Sequence, residues 1–434
     1  MNDRKQTSAG NARRLERRFD IEVRRNLTRN FLAHLCHGML GQTGFRLLNA
    51  PTFLPAYILL LSNGSNIAVG TALALQSLGM MLTPFYGATL IEHRPKVLPV
   101  GMVIGTMMRF SILGIALSGL LLDQRSALLA IFAFLTLFGL FQGMQGVLFN
   151  YLMAKVIPVS KRGRLTGLRN FLAGITSAIV ALAGGEYFLG DTPDIYGYSY
   201  TFVLAFVLTM CGLLTLLFMH EPEPPILREK SSVASRLREL PALLRGDPDF
   251  ARYFTARALT SAGRMAMPFY VLYAGTNMQL SGANLALTTV AFTIASTVSN
   301  LVWGAIGDRH GFRIVFILAT SLWIAATCAL LAFTGIVAMV VVFAGIGAAV
   351  QGFQNASMNL TLEFGNREDL PVRIAVANTA SEFAGTLGPL AGGFIAASFG
   401  YGAVFAVSIA FLLSGGLMVA LRVKEPRHSG AAGR

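Results

Sequence analysis

Apolar residues run through this chain in long blocks, without the two-residue alternation of a half-buried strand or the one-sided stripe of a surface helix. Blocks at 31–61, 67–91, 97–122, 127–157, 165–189 and 200–219 fill the first half, and blocks at 250–274, 283–306, 314–333, 336–364, 374–399 and 403–421 the second. A helix rises 1.5 Å per residue, so about 20 residues cross a hydrocarbon layer. Each block meets that length. The predicted architecture is all-α, with twelve transmembrane helices in two pseudo-symmetric six-helix bundles. A tail over 1–30 precedes the bundle at 31–219, a polar linker at 220–249 leads to the bundle at 250–421, and 422–434 form a second tail. In the linker, Val233, Leu237, Leu240 and Leu244 recur at helical spacing and predict a surface helix. In the first tail, Leu15, Phe19, Val23 and Leu27 lie four apart among arginines, which fits either an amphipathic helix on anionic lipid or an unstructured tail that only sets topology.

Composition agrees. Of 434 residues, 54% are apolar and 13% charged, too apolar for a soluble protein of this size. The net charge of +14 would suggest nucleic acid in a soluble chain, but its placement gives it another meaning. Basic residues crowd the first tail, then recur at Arg94 and Lys96, at 161–164, at 228–252, at Arg309 and Arg313, at Arg367 and Arg373, and from Arg422 onward. The intervening connectors carry none, apart from Arg125 beside Asp123. Alternate loops are therefore basic, the positive-inside pattern of the cytoplasmic (inner) membrane, with both termini cytoplasmic and no role for nucleic acid. The first 30 residues lack an apolar core with a cleavage site, so the first span is expected to direct insertion. Cys36, Cys211 and Cys328 sit singly in apolar blocks, with neither disulfide nor metal spacing. No phosphate-cradling glycine loop, metal-ligand pair or nucleophile-base set appears between the spans, so neither enzyme chemistry nor a cofactor is expected.

Charge inside the spans is rare and costly. Arg46 stands at the centre of the first block, where insertion of an arginine costs roughly 2.5 to 3.5 kcal/mol. His34, Gly38, Gln42, Arg46 and Asn49 fall on one helical face, which must look into protein or water. Pro51 and Pro55 follow and predict a bend beside this patch. The halves repeat: a shift of 217 residues carries Gly87 onto Gly304 and Pro51 onto Pro268 and brings Arg46 next to Arg264. A shift of 209 carries Gln142, Gly143, Gln145, Asn150 and Arg164 onto Gln351, Gly352, Gln354, Asn359 and Arg373. Repeated halves are the mark of secondary transporters, whose solute site lies near the midplane between two bundles.

At this point the residues resemble a family. Gly304, Asp308, Arg309, Gly311 and Arg313 match the loop motif between the eighth and ninth spans of the major facilitator superfamily, and Gly385, Gly388, Pro389, Gly392 and Gly393 look like its small-residue packing pattern. The first-half loop keeps Gly87 and Lys96 but has Ile91 at the aspartate position. Gln142 and Gly143 fit the fourth-span motif of drug:proton antiporters, with Gly139 where that motif has arginine. The resemblance implies alternating access, a cytoplasmic gate at the Gly304–Arg313 loop, and a cavity lined by the first, fourth, seventh and tenth spans. Those spans carry Arg46 and Asn49, Gln142 and Gln145, Arg264, and Gln351, Gln354 and Asn355, the expected solute-binding set.

Arg46 and Arg264 either bind an anionic group across the pseudo-twofold or are neutralised by Glu382 or Glu363. Glu382 is the candidate proton carrier. Arg257 reads as structural, His34 and His37 as packing residues, and Arg109 in the third span lacks an evident partner. The expected function is a permease for a small organic or inorganic anion, coupled to protons or to a counter-anion and acting as a monomer in the bilayer. Proton-coupled efflux of amphiphiles is the alternative, and a non-transporting receptor or assembly factor on the same scaffold a second one.

Overall fold

Helix begins ahead of the first apolar block, at residues 16–25 (α1), and passes through Asn26 into α2 (Leu27–Asn49). The computed structural model describes residues 14, 16–91, 93–223, 246–364 and 370–423; Leu15 and the helix expected in the linker lie outside the described residues. Pro51 ends α2. Ala50, ahead of it, is extended at φ −62° and ψ 142°, as a residue preceding proline must be, and α3 (Phe53–Leu61) restarts at an angle of 43°. The bend predicted from Pro51 and Pro55 therefore lies one residue beyond the polar patch.

The other spans of the first half are α4 (Asn66–Leu82) continued by α5 (Pro84–Ile91), α6 (Leu98–Leu121), α7 (Gln124–Val156), α8 (Val159–Gly184) with a π turn at Gly185–Leu189, and α9 (Ile195–Leu214). The second half begins with α10 (Pro248–Ala262), a 3₁₀ turn at Gly263–Ala266 and α11 (Phe269–Asn277), a broken span that mirrors the first. It continues through α12 (Gly282–His310), α13 (Phe312–Ala332), α14 (Ile336–Glu363) and α15 (Leu370–Arg422). Gly400, at φ 78°, divides α15 into two antiparallel arms, a turn that a side chain would strain. On the face opposite the basic loops, side-chain caps start the helices: Ser65 accepts from the Ala68 amide, Asp123 from Ser126, Asp194 from Gly197 and Ser281 from Asn284. Hydrogen bonds from Ser126 hold the exposed Asp123 carboxyl below its ordinary value.

Among the described residues, eight helices, or nine with the bent first pair, are individually long and apolar enough to cross a membrane. Counting α4–α5 and α10–α11 as spans, and dividing α15 at Gly400, brings the rods to twelve. Large apolar side chains such as Leu301 (78% exposed) and Val337 (76%) face outward, where water would penalise them and hydrocarbon does not. Inside each half, aromatic residues fill the core and satisfy their polar ends locally. Tyr57 meets Ser199 at 3.1 Å, and Trp323 donates to Tyr270 at 3.0 Å.

Small residues let helices touch backbone to backbone. A Cβ on Gly139 would lie 2.0 Å from the Gln76 carbonyl, so α4 and α7 meet where the antiporter motif would need an arginine. The repeat-related Gly143 and Gly352 make room instead for side chains, those of Thr83 and Trp303. In the eleventh span Gly392 faces Phe269 of its own half, while Gly393 faces Asn66 of the other and the Pro389 carbonyl meets Gly70. Hydrogen bonds between the halves run from Arg46 with Thr297 (3.0 Å) and Thr52 with Thr289 (2.7 Å) to Tyr401 with Asn66 (2.9 Å) and the Gly282 amide with the Gly190 carbonyl (2.7 Å). They lie between cavity depth and the loops opposite the basic ones.

Each half knits its own basic-loop face. Glu221 accepts from the Val97 and Leu98 amides at the start of α6 and from Lys155 Nζ at 2.7 Å, while Lys155 also donates to the Pro95 carbonyl at 2.6 Å. The pair is almost wholly buried, which ties the first residues of the expected linker to the first half. In the second half Gly311, at φ 88°, turns the chain into α13, and Arg313 donates to the Val419 and Ala420 carbonyls at the end of the last span.

Candidate functional site

The two broken spans carry the two central arginines. Arg46 lies in the last turn of α2 and Arg264 in the 3₁₀ turn ahead of Pro268, so each guanidinium leaves its helix where the backbone is interrupted. Both open onto one cavity of about 370 Å³ between the halves. Arg46 donates to the Thr297 hydroxyl across the interface at 3.0 Å. Among the described residues neither arginine forms an ion pair. Glu382 lines the same cavity from the eleventh span, and an ideal Cβ on Gly385 would stand 3.7 Å from its Oε2 and 3.8 Å from Ser77 Oγ, which places the carboxylate close to α4. It too makes no ion pair among the described residues. Two guanidinium groups and a carboxylate thus share one space without neutralising each other by contact.

Of the eight expected solute-binding residues, six line this cavity: Arg46, Asn49, Gln142, Arg264, Gln351 and Gln354. Asn49 donates to the Phe45 carbonyl and accepts from Gln76 at 2.7 Å, so its orientation is set by α4. Gln142 Oε1 is buried without a partner among the described residues, an acceptor ready for a donor. Gln145 and Asn355 are absent from the lining. Gln145 faces Gly105 and Arg109 on α6, and Asn355 bonds Gln351 and Asn300, linking α14 to α12. A helical turn of about 100° per residue explains this: Gln142 and Gln145 stand three apart and share a broad face, but only one edge of it is open. In the gate motif Asp308 and Arg309 are exposed, while Gly311 and Arg313 play the turn and capping parts already described.

Other charged and polar residues find structural partners. Arg257 is buried and donates to Ser381 at 3.0 Å and Thr361 at 2.9 Å. Arg109 gives its Nε to the Thr209 carbonyl and its Nη1 to the Gly105 carbonyl, both at 2.7 Å, which supplies the partner its sequence position does not reveal. His37 donates Nδ1 to the Gly212 carbonyl at 3.0 Å, and His34 packs edge-on against Phe149. Sequence reasoning missed Arg169, whose stem occupies the space above Gly38 and whose guanidinium lies 5.1 Å over the Phe149 ring. It also missed Thr297, Gln76 and Ser77. The adjacent Gln76 and Ser77, isolated in the apolar second block, were a usable signal; Thr297 lies in a run rich in serine and threonine and was not.

A two-half, all-helical, multi-pass membrane protein with a charged central cavity is the class these features define. The chain belongs to the Major Facilitator Superfamily, whose family model matches residues 31–271 and 253–434. A relative, the multidrug resistance protein MdtG of Proteus mirabilis (strain HI4320), is 26% identical over 265 residues, covering 59% of this chain and 63% of its own length. The chain therefore spans less than two thirds of that relative. Among solved structures, a D-xylose–proton symporter superposes with a TM-score of 0.71 at 15% identity, over 92% of this chain and 99% of its own. The nucleoside transporter NupG gives 0.70 at 13% identity, over 90% and 100%. The xylose transporter XylE from E. coli, in a partially occluded inward-open conformation, gives 0.69 at 13% identity, over 92% and 98%. At these identities the likeness concerns the fold.

Proposed function

We propose that this chain is a secondary transporter that moves a small organic or inorganic anion across the cytoplasmic membrane by alternating access. The carrying observation is that Arg46 and Arg264, from repeat-related breaks, line one cavity with no carboxylate in contact among the described residues. A half-buried guanidinium at the centre of an apolar bundle without a counter-charge in contact is costly, so an anionic solute bound there recovers both charge and hydrogen bonds. Asn49, Gln142, Gln351 and Gln354 supply neutral donors and acceptors around it. Glu382 in the same cavity repels an anion when ionised, so in this reading solute binding and protonation of Glu382 occur together. The cross-interface pins gather away from the basic loops, which supports a state open to the cytoplasmic side, with the Gly304–Arg313 loop closing that side in the opposite state. Both termini are then cytoplasmic.

The test is solute flux into liposomes containing the purified protein, with a panel of organic and inorganic anions. Arg46→Gln and Arg264→Gln should each lower anion flux at least about tenfold, the equivalent of one lost charge-assisted hydrogen bond. Glu382→Gln should abolish solute-driven acidification; unchanged acidification in that variant would assign the proton to another group, and flux without acidification in the wild type would assign coupling to a counter-anion instead. A second reading, efflux of amphiphiles, is favoured by the name of the Proteus relative and by Phe45, Leu73, Met80, Met267 and Phe292 in the lining. It predicts dye efflux that survives Arg46→Gln. Flux of any solute through the reconstituted protein excludes a non-transporting receptor.

A further inference from the structure

A second hollow, of about 470 Å³, opens on the basic-loop face of the second half and is lined by Arg252, Arg313, Leu421, Arg422 and Val423. The start of α10, the start of α13 and the end of α15 meet there. Arg313 gives Nε and Nη2 to the Val419 and Ala420 carbonyls, which holds its guanidinium in place. Arg252 shares Nη1 with Asp249 at 2.7 Å, and Arg422 has no side-chain partner among the described residues. Among the described residues, three guanidinium groups against one carboxylate leave the hollow with excess positive charge, and the N–H groups of Arg252 and Arg422 not already taken can donate to phosphate oxygens.

The flank of the hollow narrows the choice of anion. Leu421 is 79% exposed, Leu417 54% and Leu413 45%, four residues apart along the outer face of the last span. This stripe starts among the arginines and runs away from them along the lipid-facing surface. A free phosphate has no use for it, whereas an acyl chain does. We infer that the hollow binds the phosphate headgroup of an anionic phospholipid, with an acyl chain laid against Leu421, Leu417 and Leu413. The bound lipid fastens the seventh span, which bears Arg264 at its break, to the ends of the ninth and twelfth.

The test uses the full chain in detergent, incubated with phosphatidylglycerol or phosphatidylcholine and examined by native mass spectrometry. Wild type should retain phosphatidylglycerol in clear preference to phosphatidylcholine, and R252Q/R422Q should lose that preference with about a tenfold or larger fall in retention. Arg313 is left intact because it caps the last span. Equal retention by the variant overturns the proposal. Displacement of the lipid by millimolar inorganic phosphate also overturns it, in favour of a free-anion site. A photoactivatable phosphatidylglycerol on wild-type protein needs no variant to fold: labelling within 413–423 supports the site, and labelling confined to other spans refutes it.

Discussion

Among single residues, the buried pair of Lys155 and Glu221 is the most exacting. Its two members are not equally dependent on each other. Glu221 is satisfied by two amides at the positive start of α6 as well as by Lys155, whereas Lys155 has, among the described residues, only Glu221 and the Pro95 carbonyl. Lys155→Met therefore leaves a carboxylate that is still solvated by backbone, while Glu221→Gln leaves a buried ammonium facing neutral groups. Breaking a buried pair costs about 3–5 kcal/mol. Glu221→Gln should approach that range and Lys155→Met fall well below it, read as midpoints of thermal or denaturant unfolding in detergent; the reverse order would show that the amides contribute little. Neither residue was legible in the sequence, because Lys155 ends an apolar block and Glu221 opens a segment whose composition reads as linker. Arg46 and Arg264 were legible for the opposite reason, since a charge in the middle of an apolar block has no bland surface to occupy. Replacing Arg264 with Lys tests the geometry of recognition. A point charge keeps the attraction but loses the paired fork, so Arg264→Lys should retain measurable anion flux with a raised KM, where Arg264→Gln does not.

At the level of helices, apolar run length alone located the spans, and proline chemistry located the break in the first of them. The matching break in the seventh span was less visible, because the 3₁₀ turn at Gly263–Ala266 comes before Pro268 and involves residues with no special turn preference apart from the glycine. Facing was legible only in part. The sequence placed Gln142 with Gln145 and Gln351 with Asn355 in the fourth and tenth spans, but which edge meets the cavity depends on how α7 and α14 rotate against α4 and α12, a tertiary fact. Gly139 shows how strongly that rotation is fixed. Any side chain there would drive into the Gln76 carbonyl and separate α4 from α7, and Gln76 in turn orients Asn49 in the cavity. Gly139→Val should cost about 1–3 kcal/mol or more through overpacking, seen as a lower melting temperature and lower yield. Gly139→Ser, smaller and able to bond a carbonyl, should cost less. If valine is tolerated without loss, the contact is looser than its geometry indicates and the motif arginine is missing for another reason.

For the molecule as a whole, alternating access requires that the pins on the side opposite the basic loops break while others form on the basic side. Apart from the Arg46–Thr297 bond at cavity depth, the pins are neutral hydrogen bonds of about 1 kcal/mol each, and between them the small residues Gly70, Gly185, Gly282 and Gly393 let the backbones close. That combination suits a bistable interface: close enough to seal, yet without a charge pair to hold it shut. Bulk at Gly393 should therefore act on the equilibrium and leave each half folded, because its missing Cβ faces Asn66 and Ile67 of the other half. Gly393→Leu, in a protein with its three cysteines replaced by serine, should expose a cysteine placed at the otherwise fully buried Thr52 to an impermeant maleimide from the side opposite the basic loops. Shifting a two-state equilibrium by about 1.4 kcal/mol changes populations tenfold, so labelling should quicken by about that factor while the melting temperature stays near wild type. Labelling that stays slow in a well-folded variant would mean that the halves do not part along this surface. A cavity that cannot open on that side gives Arg46 and Arg264 no route to alternating access, and the transport proposal would fail with it.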